Sequence, residues 1–174
     1  MSDRVTSRRR SRRGQALVEF ALVMPLFFGL LFGLIELSLL FGVKALCHDA
    51  TDSALRLETI VDMRDSGVDQ HAVDRLLAAV HPLFMAHVVR IEIYLTDATG
   101  AAPKLTAENI YDGAGLLQTN HWPVSSRISM IDAPLYIGVR VTYRYDWLTS
   151  FIAATGATIT LQENAIAPEQ LLGG

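Results

Sequence analysis

The chain has 174 residues, of which 51% are apolar, and its formal net charge is −3 at neutral pH. This length suits one domain plus a membrane segment and excludes two ordinary globular domains. The single cysteine, Cys47, excludes an intrachain disulfide, so packing alone must hold the domain together. We expect Cys47 to be a free, buried thiol, with pairing to another chain as the alternative.

The charges are distributed unevenly along the chain. Residues 1–13 contain six arginines and one acid, whereas the part from Lys44 onward contains nine Lys/Arg and fifteen Asp/Glu. The positive-inside rule keeps the basic end of a membrane protein in the cytoplasm, so the acidic part is predicted to be exported. A basic run can also bind nucleic acid, but membrane anchoring already accounts for this one, and no nucleic-acid partner is predicted.

A long apolar segment follows the arginines and is interrupted by three polar side chains, those of Glu19, Glu36 and Ser38. A helix needs about 20 residues to cross a bilayer core, so residues 15–43 are predicted to form a transmembrane helix. A secretory signal would have a shorter apolar core of about 7–15 residues and a small-residue cleavage site after it. Glu36 should lie near the outer interface, about 31 Å from Gln15, where water can solvate it.

Three features of this helix need an explanation. Glu19 lies about 6 Å along the helix from Gln15, and a carboxylate near lipid costs a few kcal/mol unless a partner or the interface stabilises it. A nearby positive charge would explain it best. Pro25 should kink the helix or loosen the turn before it. Gly29 and Gly33 form a GxxxG spacing, which lets another helix approach closely but is also common by chance in apolar helices.

The sequence RGQALVEF, which contains Gly14, Gln15, Glu19 and Phe20, resembles a type IV prepilin processing site. In that family a membrane peptidase cuts on the cytoplasmic side after the glycine that ends a short basic leader. A glutamate is the fifth residue after the cut, and an aromatic residue follows it. The resemblance implies that a prepilin peptidase removes residues 1–14 as a leader.

The continuation, ALVMP at residues 21–25 and GLIEL at residues 33–37, resembles the TadE-like pseudopilins of the tight-adherence (Tad) pilus system. This resemblance implies a structural protein with other pilin-like subunits, the Tad assembly machinery and the membrane as partners. It implies a location in the bacterial inner membrane or in the pilus fibre. Typical major pilins of this system are much shorter, so a minor subunit or an assembly factor is implied.

Elementary chemistry agrees with such a cut. Proteolysis after Gly14 would create an amine at Gln15, one helical turn from Glu19, and so supply the positive partner that Glu19 lacks in the uncut chain. It would also remove the arginines that hold the helix on the cytoplasmic side. The alternative is an uncut anchor, a scaffold or binding module of the envelope, in which Glu19 reaches back to the headgroups.

Residues 44–174 are predicted to form an exported α+β domain. Apolar side chains at helical spacing, Leu46, Ala50, Ala54, Leu57 and Val61, should continue the first helix to about residue 64. Asp69 is a suitable N-cap for a second helix. Three segments with alternating apolar residues, 89–96, 135–144 and 158–162, predict a three-stranded, mainly antiparallel sheet with one face covered by one or two helices. Residues 97–134 are expected to be irregular.

The sequence predicts no catalytic, metal or cofactor site and no small-molecule substrate. No two of the five histidines are four residues apart, and the chain lacks HExxH, paired CxxC, GxSxG and a phosphate-binding loop. An envelope enzyme is therefore the least favoured class. Four acids between residues 62 and 74 are interpreted as a solvated helix face: Asp62, Asp65, Asp69 and Asp74. Four aromatic residues suit either a subunit contact or core packing: Trp122, Tyr143, Tyr145 and Trp147.

Overall fold

The computed structural model describes residues 4–60, 67–100, 107–127, 136–149 and 156–168. The chain divides into two compact units, Met1–Leu39 and Leu40–Gly174. The described elements are α1 (Arg4–Ile60), α2 (Val68–Val80), β1 (Ala86–Thr96), β2 (Glu108–Asp112), β3 (Leu117–Asn120), α3 (Val124–Arg127), β4 (Tyr136–Tyr145) and β5 (Ile159–Pro168).

In the first unit, α1 presents mostly exposed apolar side chains. Leu22, Leu30 and Leu34 are each at least 66% exposed. The helix continues through Pro25, which therefore does not end it. Glu36 is only 1% exposed, so the prediction that water solvates it is wrong. That prediction considered only lipid and water around the helix and left out packing against other side chains.

In the second unit, the end of α1 buries one stripe of side chains at helical spacing: Val43, Cys47, Ala50, Thr51, Ala54, Leu55 and Glu58. Ala50 and Ala54 were expected on this face. Leu46 was also expected there but is 51% exposed, because the buried stripe runs through the next residue instead. The predicted end of the helix near residue 64 lies outside the described residues.

The second helix, α2, buries a stripe that includes Val73, Leu76 and Val80, as its spacing predicts. The prediction that Asp69 caps this helix is wrong. The helix begins at Val68, and the residue at its N-cap position, Gly67, makes no side-chain capping hydrogen bond. Asp69 lies in the first turn and is 7% exposed, because its carboxylate faces the interior of the domain. It is therefore not part of a solvated acidic face.

The described strands form one antiparallel sheet in the order β3-β2-β1-β4-β5. The predicted α+β class is confirmed, but the sheet has five strands where three were expected. The additional strands, β2 and β3, are five and four residues long and lie in the segment expected to be irregular. Such short strands offer too few alternating positions for a period of two to be detected.

One face of the sheet forms the core of the second unit. In the neighbouring strands β1 and β4, Ile91 is paired with Val141, and Ile93 with Val139, and all four side chains are fully buried. The residues of α1 and α2 that face this core are also apolar, apart from a few polar side chains. Helices on one sheet face are the arrangement expected for an α+β domain of this size.

The opposite face of the sheet is covered by its own long side chains. Tyr94 is fully buried although it alternates with the core residues Ile91 and Ile93 and so lies on the opposite face, since it lies across Gly138 and donates a hydrogen bond to Asn164. The guanidinium of Arg140 is 5.0 Å from the Tyr94 ring centroid and bonds Glu92 at 3.2 Å. The predicted half-buried strand is therefore buried on both faces over the second half of β1.

Candidate functional site

The residues of the predicted processing site lie on α1 and are exposed: Gly14, Gln15, Glu19 and Phe20. The backbone is helical on both sides of the Gly14–Gln15 peptide bond. A peptide bond inside a helix must unwind locally before a protease can act on it. A glycine in a helix interior costs about 0.5–1 kcal/mol relative to alanine, so Gly14 weakens the helix at this bond.

The space around Gly14 is open. A Cβ atom built on this residue would meet nothing within 4 Å, apart from its neighbours in the helix. The fold of the uncut chain therefore does not require a glycine here. A requirement for glycine at this position would have to come from another protein that binds or cleaves the chain.

Glu19 has a partner in the uncut chain, contrary to the expectation from the sequence. The side-chain amide of Gln15 donates a hydrogen bond from Nε2 to Glu19 Oε1 at 3.1 Å. Residues four apart lie on the same face of a helix, and amide–carboxylate pairs at this spacing are weakly stabilising. The partner is neutral, and a positive group would bind a carboxylate more strongly.

The predicted helix-packing residues Gly29 and Gly33 also face open space, with nothing within 4 Å of a Cβ built on either one. Small residues four apart leave a shallow groove that a second helix can enter. In the part of the chain that the structure describes, one helix is long and apolar enough to cross a membrane, Gly14–Thr59. The chain is thus a candidate single-pass membrane protein.

A family model described as TadE-like protein matches residues 14–56. This segment is similar to TadE-like proteins. The resemblance to TadE-like pseudopilins inferred from residues 21–25 and 33–37 is therefore confirmed over the apolar helix, and the matched segment begins at Gly14. TadE-like proteins are associated with Tad pili and are a structural family rather than an enzymatic one. No curated protein and no solved structure matches the chain.

Beyond the TadE-like segment, the structure reveals a polar cluster that sequence reasoning did not find. We call it the Arg127 cluster, and its members are Glu58, Asp69, Asn109, Tyr111, Trp122 and Arg127. All six are at most 8% exposed. They come from α1, α2, β2, the segment after β3, and α3, so the cluster connects three helices with one strand of the sheet.

The guanidinium of Arg127 is the centre of this cluster. Its Nη2 atom is 2.6 Å from Asp69 Oδ2, and its Nη1 atom is 3.8 Å from Glu58 Oε2. The same group lies 4.2 Å from the centroid of the Trp122 ring and donates to the Trp122 backbone carbonyl. A charge that is this deeply buried is stable only when it is paired and hydrogen-bonded.

Asn109 completes the cluster by bonding groups on two other segments. Its Nδ2 atom donates to Asp69 Oδ2 at 2.6 Å and to the Trp122 carbonyl at 3.1 Å, and its Oδ1 atom accepts from the Trp122 amide at 3.0 Å. A buried amide with three partners fixes the segments that it joins. Asn109 therefore holds α2 and the chain around Trp122 against β2.

Glu58 is the unusual member, because it is fully buried beside a second carboxylate. Burial and the negative charge of Asp69 raise the pKa of Glu58 to about 8, against the opposite effect of Arg127. Glu58 is then mostly protonated at neutral pH. A protonated Glu58 can donate to Asp69, whose Oδ1 atom accepts no hydrogen bond from the residues that the structure describes. The raised pKa of Glu58 thus reduces the negative charge that is buried beside Arg127.

One sequence signal could have revealed this cluster. The apolar stripe of α2 that includes Val73 extends back by one turn to Asp69, and an acid on an apolar face demands a buried partner. The partner, Arg127, lies in the segment expected to be irregular, so no periodicity pointed to it.

Three of the four aromatic residues that suit either a subunit contact or core packing are at most 1% exposed: Trp122, Tyr143 and Tyr145. This burial favours core packing over a subunit contact.

Cys47 is a buried free thiol, as predicted. Burial and the nearby carboxylate of Glu163 raise the pKa of Cys47 to about 11, against a smaller opposite effect of Tyr143. A reactive cysteine requires a lowered pKa and an accessible sulfur atom.

Among the described residues, no group of three or more His, Cys, Asp or Glu side chains is placed to hold a metal ion.

Proposed function

We propose that this chain is a minor pilin-like structural subunit, or an assembly factor, of a Tad-type pilus. A prepilin peptidase of the inner membrane cuts it after Gly14, and the mature chain begins at Gln15. The observation that carries this proposal is the sequence from Gly14 to Phe20, which lies on an exposed helix at the start of the TadE-like match. In this proposal the arginines face the cytoplasm and the domain is exported.

The cut would change how firmly the helix is held in the membrane. The leader carries six arginines. Near an anionic membrane surface each basic residue contributes about 1 kcal/mol of attraction, and moving one into the hydrocarbon costs more. Removal of the leader leaves an apolar helix that can move from lipid into a helical bundle. The exposed leucines of the first unit supply the apolar surface for such packing.

The amine freed at Gln15 would be the second contribution of the cut to assembly, after the loss of the arginines. A terminal ammonium that enters an apolar bundle needs a counter-ion, and the Glu19 carboxylate of the same or a neighbouring chain supplies one. We propose that one carboxylate oxygen makes this charge-assisted bond to the ammonium while the other keeps the neutral bond from the Gln15 amide. The groove at Gly29 and Gly33 allows the close helix approach that such a contact requires.

The N-terminus of the mature protein tests this proposal. The chain is produced in cells with an active prepilin peptidase, and the membrane and sheared-fibre fractions are analysed by mass spectrometry. We expect Gln15 as the first residue. Gly14→Val should abolish the cut without disturbing the fold, since a Cβ at this position has open space. Gly42→Val is the matched control, because its surroundings are equally open and it is distant from the cut.

The uncut anchor with a scaffold or binding role is the second candidate. The bond between Gln15 and Glu19 favours it, because the carboxylate has a partner before any cleavage. A functional wild-type chain that keeps its arginines in peptidase-containing cells would establish this alternative and refute the pilin role. In that case Gly14→Val would have no more effect than Gly42→Val.

A further inference from the structure

Processing at Gly14 would leave a glutamine as the first residue, and this inference rests on that proposed cut. The α-amine of an N-terminal glutamine can attack the amide carbon of its own side chain. The amine nitrogen bonds to Cδ, the Cδ–Nε2 bond breaks, and a proton passes from the amine to the leaving nitrogen, which departs as ammonia. The product is a five-membered lactam without a positive charge, and it could not pair with a carboxylate.

The hydrogen bond between Gln15 and Glu19 opposes the geometry that ring closure needs. In a helix, the backbone nitrogen of a residue lies on the N-terminal side of its Cα atom. Glu19 lies one turn away in the opposite direction. The bond from Gln15 Nε2 to Glu19 Oε1, at 3.1 Å, therefore directs the amide group away from the nitrogen that would attack it.

The negative charge of the Glu19 carboxylate also opposes ring closure. A nearby negative charge favours the protonated form of an amine, and a protonated amine has no electron pair with which to attack. The carboxylate has two oxygens, so it can hold the Gln15 amide with Oε1 and accept from an ammonium with Oε2. Both effects depend on a carboxylate that can reach back by one helical turn.

We propose that Glu19 protects the mature N-terminus from cyclising onto the Gln15 side chain, so that the charged amine persists for assembly. Glu19 thereby has a role before any contact between subunits is made. It preserves the chemical form of the N-terminal residue that such a contact would use.

The test follows the loss of one ammonia from the purified mature chain in detergent at neutral pH, by intact mass and by N-terminal peptide analysis. Glu19→Ala removes the carboxylate, and Glu19→Asp keeps the charge but shortens its reach. We expect both variants to lose ammonia at least about two-fold faster than the wild type, since the pair combines a helical hydrogen bond with a charge effect. Gln15→Ala has no side-chain amide and is the control that should lose none.

A second comparison needs no variant and remains decisive if the Glu19 variants are not cut. Cleavage of the mature wild-type chain after Phe20 releases the peptide QALVEF, which keeps both Gln15 and Glu19 but is too short to form a stable helix. We expect this peptide to cyclise at least about two-fold faster than the intact chain, because its amide is no longer held.

The outcomes separate this inference from the proposed function. A chain that starts at Gln15 and cyclises as fast as its released peptide, or as fast as the Glu19→Ala and Glu19→Asp variants, overturns the inference alone. A chain that keeps its arginines refutes the cut, and the inference with it. Slower ammonia loss in the intact wild type than in the peptide and the variants supports both.

Discussion

The two units of this protein differ in which kinds of side chain are exposed and which are buried. In the first unit, the helix exposes large apolar groups and interrupts them with single polar residues such as Glu19. In the second unit, polar groups such as Arg127 are buried and paired with one another, as Arg127 is with Asp69 at 2.6 Å. The first arrangement suits a segment whose partners are lipid and other helices. The second suits a domain that must hold its shape without a disulfide. Changes in the two units should therefore have different consequences.

The largest effect on stability is expected from Arg127→Met. This change leaves the buried carboxylate of Asp69 without its cation, and breaking a buried pair in this way costs about 3–5 kcal/mol. The free energy of unfolding is measured by denaturant titration of the detergent-solubilised chain, with tryptophan fluorescence as the signal.

Arg144→Met is the matched control for this measurement. Arg144 pairs with Asp146 at 3.0 Å, but both side chains are more than 40% exposed. Exposed pairs contribute about 0–1 kcal/mol, so this variant should unfold almost as the wild type does. Equal losses in the two variants would show that the Arg127 cluster does not hold the domain together.

The pH dependence of stability should report on Glu58. Its pKa is raised to about 8 in the folded protein, so between about pH 4.5 and 8 the unfolded chain releases a proton that the folded protein retains. The stability contributed by this group is therefore present at low pH and is lost as pH rises toward 8, by at most about 1.4 kcal/mol per pH unit. Denaturant titrations at several pH values measure this slope.

Glu58→Gln should flatten this slope, because glutamine is neutral at every pH and has nearly the same shape. Asp74→Asn is the control, since its side chain is exposed on α2 and bonds only to the solvent-facing Gln70 amide among the contacts described. It should leave the slope unchanged. A wild-type stability that increases from pH 5 to 8 would contradict the protonated state assigned to Glu58.

Gly138→Ala should have an intermediate effect. A Cβ atom on this residue would lie 2.4 Å from the Tyr94 ring, which is far too close for either group to remain in place. Forcing extra volume into a packed site costs about 1–3 kcal/mol. The same denaturant titration measures this loss.

Gly42→Ala provides the opposite control for this substitution, because a Cβ on Gly42 has open space in the middle of a helix. It should stabilise the chain by about 0.5–1 kcal/mol. The double variant Gly138→Ala and Tyr94→Leu should recover part of the loss, since the side chain that clashes has been shortened. A Gly138→Ala variant as stable as the wild type would mean that Tyr94 does not cross this strand.

The sequence predicted the first unit better than the second, and the reason is physical. An apolar helix is encoded by consecutive residues, and the TadE-like match that begins at Gly14 supports this part of the prediction. The pair of Asp69 and Arg127 joins residues that are 58 positions apart. No local pattern encodes such a contact, although an acid on the apolar face of α2 indicated that a partner was needed.

The strands show the same difference between local patterns, which the sequence reveals, and long-range contacts, which it does not. The alternation in β4 is ten residues long and was recognised, whereas β2 and β3 are short and depend on pairing with their neighbours. Burial of Tyr94 on the outer face of the sheet was also missed. It depends on Gly138 in the next strand, and the strand order is not readable from local alternation.

The smallest effect on stability, and the sharpest contrast between the units, is expected from Gly33→Leu. A Cβ at Gly33 meets nothing within 4 Å, so the free energy of unfolding of the domain should stay within about 0.5 kcal/mol of the wild type. Association between helices should nevertheless fall, because the leucine fills the groove that a second helix would enter. Cross-linking of the mature chain in membranes measures this association.

Leu34→Ala is the control for this last variant, since it changes a neighbouring exposed residue but leaves the glycine groove open. It should keep most of the cross-linked product. If Gly33→Leu associates as well as Leu34→Ala does, the helices meet through another face, and the GxxxG spacing is a chance feature of an apolar sequence. If Gly33→Leu lowers association without changing unfolding, assembly depends on the first unit while the fold depends on the second.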